Sequence, residues 1–93
     1  MIVTCCEVQL YLSESRSLKD KRQVLQSLQE RIRSRFSVAV AEVEHQDLWQ
    51  RATLGLATVS NSARHGDEVL TKVVGFIEQE RRVQVLDWAI EER

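Results

Sequence analysis

The hydrophobic pattern of this chain switches repeatedly between two periods, and this restricts its possible folds more than any other feature. From Ile2 to Leu12 the side chains alternate, so that Cys6, Val8 and Leu10 share one side, as in a strand with one buried face. Residues 18–35 then place apolar residues at helical spacing. Each segment has a single apolar face, so the segments must bury these faces against one another in a layered domain.

The remaining segments continue this change of period. Ser17, followed three residues later by Asp20, resembles a capping box and opens the helix predicted over 18–35. Residues 36–44 and 52–60 are short runs rich in Val and Ala, which predict a hairpin. A second helix is predicted from about Ala63, capped by Asn61 or Ser62, and residues 82–92 alternate as a closing strand. The apolar face of this second helix consists of Val69, Leu70, Val73, Val74 and Ile77.

The order strand, helix, strand, strand, helix, strand predicts an α+β fold. Each helix can join two parallel strands by a right-handed crossover, and two overlapping units of this kind form the ferredoxin-like split βαβ sandwich. We expect one domain over residues 1–93, with an antiparallel sheet in the order 4-1-3-2 and both helices on one face.

Composition excludes several other classes of protein. The chain has 93 residues, a formal net charge of −1, no proline and two adjacent cysteines. These features disfavour a disulfide scaffold and a disordered chain. No apolar run approaches the roughly 20 residues of a membrane span, and the N-terminus lacks the basic region of a signal peptide. We therefore expect a cytoplasmic protein that does not enter a membrane.

Two stretches, SLKDKRQVLQSLQERIRSRF at 17–36 and VAEVEHQDLWQRATLGLATVSN at 40–61, resemble the signature segments of the YlxP-like family, a bacterial family of unknown function. The resemblance covers essentially the whole chain. It implies a small cytosolic ferredoxin-like protein, often encoded among genes for transcription and translation factors, without an established biochemical activity. Cys5 and Cys6 depart from the apolar and glycine residues expected there, so neither thiol is expected to be a functional group of the family.

The first helix and its approach carry an excess of positive charge. Residues 16–35 contain seven basic and two acidic side chains, a local net charge of +5. Arg16, Lys19 and Arg22 are the candidate RNA-binding residues, because basic clusters of this kind can contact a phosphate backbone. The alternative is an ordinary solvated helix face. Lys21 falls within the apolar stripe, so it must snorkel or meet a carboxylate near the end of the first strand.

The segment HQDLWQR at 45–51 allows two interpretations. In the mechanical one, Asp47 caps a turn, Trp49 covers one end of the core, and Arg51 pairs with Glu42 or Glu44 across the hairpin. In the functional one, Asp47, Trp49 and Arg51 form a partner-docking loop, since Trp and Arg dominate the energetics of interfaces.

Other chemistry has weaker support. Adjacent strand residues point to opposite faces, so Cys5 and Cys6 are expected to be inert thiols, and His45 and His65, predicted in loops, are too isolated for a metal site. Small acyl-phosphate hydrolases share this element order, and Arg16 and Asn61 occupy places comparable to their Arg and Asn. However, the first loop has no glycine to expose an amide cradle. We expect no catalysis, no metal and no cofactor.

Two functional hypotheses follow. One is an interaction protein that acts on RNA or with a ribosome-associated protein; the other is a self-associating or small-ligand-sensing module without nucleic-acid binding. RNA binding must depend on the basic helix, because the strands offer only Tyr11 for base stacking. We also expect a homodimer, because the second sheet face has no covering layer, and bulky apolar residues of the closing strand are expected there.

Overall fold

The computed structural model describes all 93 residues and contains four strands and two helices. The strands are β1 (Ile2–Tyr11), β2 (Ala39–Glu44), β3 (Arg51–Ser60) and β4 (Gln84–Glu92); the helices are α1 (Leu18–Arg35) and α2 (Ala63–Glu78). The sheet order is β2-β3-β1-β4, and every neighbouring pair is antiparallel. The predicted ferredoxin-like topology is thus confirmed. No helix is both long enough and apolar enough to cross a membrane.

The core lies between the helices and one face of the sheet. The alternation predicted for β1 is confirmed, because Cys6, Val8 and Leu10 are buried while Glu7 is exposed. One cluster of 16 buried hydrophobic residues contains residues of both helices and of β1, β2 and β3, together with Leu12 and Val83, which lie just outside the strands. Both helices therefore cover the same face, and we call the other face the open sheet face.

Side chains cap both helices at the predicted positions. Ser17 Oγ accepts a hydrogen bond from the Asp20 N–H at 3.1 Å, while an Asp20 carboxylate oxygen accepts one from the Arg16 N–H at 2.9 Å. Ser62 Oγ accepts one from the His65 N–H at 3.3 Å. His65 thus lies in the first turn of α2, and its predicted loop position is wrong.

A bulge in β4 changes which of its residues face the core. Leu10 pairs with Val85, but Gln9 pairs with Asp87, so Leu86 is an extra residue. After this shift Trp88 pairs with the buried Val8 and shares its face. The expectation that a bulky apolar set of β4 would occupy the open sheet face is therefore wrong, because the bulge puts Val85, Trp88 and Ile90 on the helix side and leaves Asp87, Ala89 and Glu91 on the open face.

The register also defines two ends of the sandwich. At one end Tyr11 pairs with Arg51, and at the other Ile2 pairs with Ser60. The first end carries the loop between β1 and α1 (residues 12–17), the loop between β2 and β3 (residues 45–50) and the N-terminus of α1. We call this the loop end.

Candidate functional site

Lys21 organises the loop end although its side chain is only 1% exposed. Its Nζ donates to Glu42 Oε2 at 2.8 Å and to the backbone carbonyl of His45 at 2.7 Å. The carbonyls of Gln46 and Arg51 accept further hydrogen bonds at 3.3 and 3.2 Å. The prediction that Lys21 meets a carboxylate is confirmed, but that carboxylate is on β2 rather than near the end of β1. A buried ammonium of this kind fixes the start of α1 to the loop between β2 and β3.

The loop between β2 and β3 begins with a left-handed residue. His45 has φ 64°, in the left-handed region that residues other than Gly seldom adopt, although His, Asn and Asp are enriched there. Its carbonyl accepts from the Leu48 N–H at 3.1 Å, and its Nδ1 lies 2.9 Å from Thr53 Oγ1. Thr53 Oγ1, which is buried, donates to Gln9 Oε1 at 2.8 Å. The ring of His45 is thereby tied to two central strands, so the loop leaves β2 in a defined direction.

Gln50 joins the two loops of the loop end. Its side-chain Nε2 donates to the carbonyls of Ser13 at 3.1 Å and Ser15 at 3.3 Å, and its own carbonyl accepts from the Leu12 N–H at 2.8 Å. Arg16 immediately follows Ser15, and Trp49 immediately precedes Gln50. The two candidate sites predicted from sequence thus adjoin one another in the structure.

The three candidate RNA-binding side chains are exposed and unpaired. Arg16, Lys19 and Arg22 make no side-chain hydrogen bond or salt bridge. The basic residues farther along α1 differ. Arg31 pairs with Glu80, Arg33 donates to the Val40 carbonyl, and Arg35 lies over the ring of Phe76. The free positive charge of α1 is therefore concentrated in its first turns and the approach to them.

Asp47, Trp49 and Arg51 surround a hollow of about 310 Å³ together with Leu48 and Gln50. Trp49 is 55% exposed, so the interpretation in which it covers the core is wrong. The side chain of Asp47 accepts no hydrogen bond, and the turn is closed by Leu48 and His45 instead. Arg51 forms no pair with Glu42 or Glu44, and its Nε is buried without a partner. Lys21 holds this segment through backbone carbonyls and uses none of the three side chains.

The open sheet face carries an apolar trough of about 450 Å³. Ala39, Ala41 and Ala57 contribute to it, and the bulged Val43 lies over Gly55. A Cβ on Gly55 would approach Val43 Cγ1 to 2.8 Å, so Gly55 permits this close contact. Two exposed carboxylates, Glu7 and Glu44, also line the trough. The structure thus places small apolar residues of β2 and β3, rather than bulky ones of β4, on the uncovered face.

The residues considered for chemistry are distributed over different parts of the fold. Cys5 lies on the open sheet face and Cys6 in the core, and burial raises the pKa of the Cys6 thiol to about 11. Nowhere do three His, Cys, Asp or Glu side chains come close enough to share a metal ion. Arg16 lies at the loop end, whereas Asn61 follows Ser60 at the opposite end. Nine residues of strand separate these ends by about 30 Å, so Arg16 and Asn61 cannot act on one substrate.

Comparison with known proteins gives two matches. Residues 3–90 match a family model described as "Protein of unknown function (DUF503)". The chain is also similar to the "Uncharacterized protein YlxP" of Bacillus subtilis (strain 168), with 36% identity over 87 residues that cover 89% of this chain and 92% of that protein.

Proposed function

Because the chain belongs to the DUF503 family of proteins of unknown function, we propose a function from its own geometry: it binds RNA through the first turns of α1. The observation that carries the proposal is the free charge of Arg16, Lys19 and Arg22 beside arginines of the same helix that are engaged within the fold. Unpaired cations can release counterions from RNA at little cost to the fold. The N-terminus of a helix adds a favourable field for phosphate.

We propose that the protein is a cytoplasmic binding protein rather than an enzyme. The distance between Arg16 and Asn61 argues against an acyl-phosphate hydrolase, which is the enzyme class that its element order suggests. We propose an accessory factor that acts on ribosomal RNA or together with a ribosome-associated protein. Cross-linking in cells, followed by identification of the recovered RNA or protein, tests this partner. Recovery of neither RNA nor a ribosome-associated protein would contradict it.

The in vitro test measures RNA affinity as a function of salt concentration. Lys19→Ala and Arg22→Ala are expected to weaken binding to all RNA sequences alike and to lower the slope of log K against log salt by about one each. Lys72→Ala and Arg64→Ala are matched controls, because both residues are exposed and belong to α2. Equal effects of test and control variants would show that the protein binds RNA through its overall charge alone.

Asp47 provides a test of opposite sign. Its exposed carboxylate lies at the loop end and forms no salt bridge. If RNA passes over this end, Asp47→Asn should remove a repulsion and tighten binding, because like charges weaken association. Unchanged affinity would place the RNA away from the loop between β2 and β3.

Self-association through the open sheet face is a second candidate, supported by its apolar trough. Strands about 34 Å long at a spacing of about 4.8 Å give a face of roughly 600 Å². Two such faces together approach the lower limit of roughly 1,200 Å² for a stable interface. We therefore propose a homodimer in which a second copy covers this face.

Light scattering tests the homodimer directly. Ala41→Glu should favour the monomer, because it adds a charge to the trough, while Lys72→Glu on α2 should leave the mass unchanged. Glu7→Gln should strengthen the dimer, since an unpaired carboxylate would otherwise be buried. A monomeric wild-type mass at ~100 μM would contradict the proposal, because an interface of standard size persists at that concentration.

A further inference from the structure

We propose that Trp49 is a stacking platform for an unpaired base, so that the RNA bound at the loop end is single-stranded rather than duplex. This inference rests on the proposed function and names its substrate class. It starts from a juxtaposition that only the fold creates: an exposed indole beside unpaired cations.

The exposure of Trp49 has no explanation within the fold. Its side chain is 55% exposed, and its neighbour Leu48 is 43% exposed. The core is complete without either residue, because the hydrophobic cluster includes neither of them. An indole held in water instead of in the core offers its apolar face to a partner.

The loop that carries Trp49 is fixed on both sides. The ammonium of Lys21 holds the carbonyls of His45 and Gln46 before it and that of Arg51 after it. The amide of Gln50 holds the loop between β1 and α1. Little conformational entropy is therefore lost when a ligand stacks on Trp49, because the loop is already ordered.

The same contacts bring the loop that carries Trp49 beside the loop that carries Arg16. Gln50 Nε2 lies 3.3 Å from the Ser15 carbonyl, and Arg16 and Trp49 are the chain neighbours of these two residues. The side chain of Arg51 lines the hollow beside Trp49 and forms no salt bridge. A nucleotide could thus place its base on Trp49 while its phosphates meet the basic residues, as in other single-strand sites that combine aromatic platforms with positive charge.

Stacking also distinguishes single strands from duplexes. In a duplex the faces of internal bases are covered by their neighbours, so an exposed indole gains nothing from them. An unpaired base has a free face, and stacking on it tolerates any sequence. The open sheet face provides no comparable platform, because its aromatic residue, Tyr11, is half-buried beside Arg51. Trp49 therefore selects for RNA structure rather than for RNA sequence.

The experiment uses the Trp88→Phe protein, in which Trp49 is the sole tryptophan. Titration with an oligouridine of about 12 nucleotides should quench its fluorescence, and an RNA duplex of the same length should not. In the same background, affinity is measured by anisotropy of labelled RNA. Trp49→Ala should weaken single-strand binding by about 5- to 150-fold and leave duplex binding unchanged. Trp49→Phe should retain most of the affinity, and Leu48→Ala, the matched control in the same loop, should retain all of it.

The outcomes separate this inference from the proposed function. If Trp49→Ala and Leu48→Ala bind like the parent protein while Arg22→Ala weakens binding, the basic surface stands and the stacking platform is refuted. Equal affinity for duplex and single-stranded RNA that Trp49→Ala does not change would also refute the stacking platform and leave the basic surface standing. If neither RNA binds at low salt, both proposals fail. Circular dichroism and urea unfolding of each variant show that the fold is intact.

Discussion

Replacement of Lys21 by Met tests how the loop end is built. The ammonium of Lys21 has four acceptors, and the side chain is 1% exposed, whereas that of Glu42 is 19% exposed. Met keeps the apolar stem and removes the charge, which leaves Glu42 and three carbonyls without their donor. Breaking a buried ion pair costs about 3–5 kcal/mol, and the remaining access of water to Glu42 favours the lower end of that range. We expect Lys21→Met to lower the free energy of unfolding by about 3 kcal/mol.

Lys21→Ala should cost about 2 kcal/mol more, because it also removes buried methylene groups worth about 0.8 kcal/mol each. Urea unfolding monitored by circular dichroism measures both variants, and Lys19→Met in the same helix should change stability by less than about 0.5 kcal/mol. A double-mutant cycle with Glu42→Gln isolates the ion pair, and we expect the two substitutions to be strongly non-additive. A loss below about 0.5 kcal/mol for Lys21→Met, or additive costs in the cycle, would refute this account.

Three further predictions concern other parts of the fold. Hydrogen bonds from its arginine neighbours lower the pKa of Glu80 to about 2, so this carboxylate stabilises the fold above about pH 4.5, and the contribution of roughly 2–3 kcal/mol is lost as the pH falls towards 2. Glu80→Gln should remove that part of the acid dependence in urea titrations. At pH 8 a thiol reagent should modify Cys5 in the native monomer, and Cys6 only after unfolding, because burial raises the pKa of Cys6 to about 11. Gly66→Ala should destabilise the protein by about 1–3 kcal/mol in thermal unfolding, because its Cβ would lie 2.3 Å from Thr4 Oγ1.

The sequence predicts the fold well because each segment has one dominant hydrophobic period. It does not predict the bulge at Leu86, since an extra residue changes the register through contacts between strands and not through the local pattern. The same limit applies to the ion pair of β2. The sequence suggests Arg51 as the partner of Glu42 or Glu44, but the packing of α1 on β2 brings Lys21 to Glu42 instead.

The candidate site was predictable in its residues but not in its arrangement. Arg16, Lys19, Arg22 and Trp49 stand out by their chemical type, yet nothing in the linear spacing shows that they adjoin one another. The side-chain amide of Gln50 joins the two loops, and no sequence pattern identifies Gln50 as such a contact. Lys21 was the available signal, because a charge within an apolar stripe indicates a specific partner across the fold.

The chemistry of Lys21 indicates that its main role is to position the loop between β2 and β3, and that its contribution to stability is secondary. An apolar residue at this place would complete the stripe of α1, and replacement of buried ion pairs by apolar residues is often neutral or stabilising. Such a residue could not donate to the carbonyls of His45, Gln46 and Arg51, which need a donor where they lie. With an apolar residue at 21 the loop would have to turn these carbonyls towards water, and this would move Trp49 relative to the start of α1. The buried ammonium therefore holds the proposed stacking platform beside the proposed phosphate-binding residues, although it touches no RNA itself.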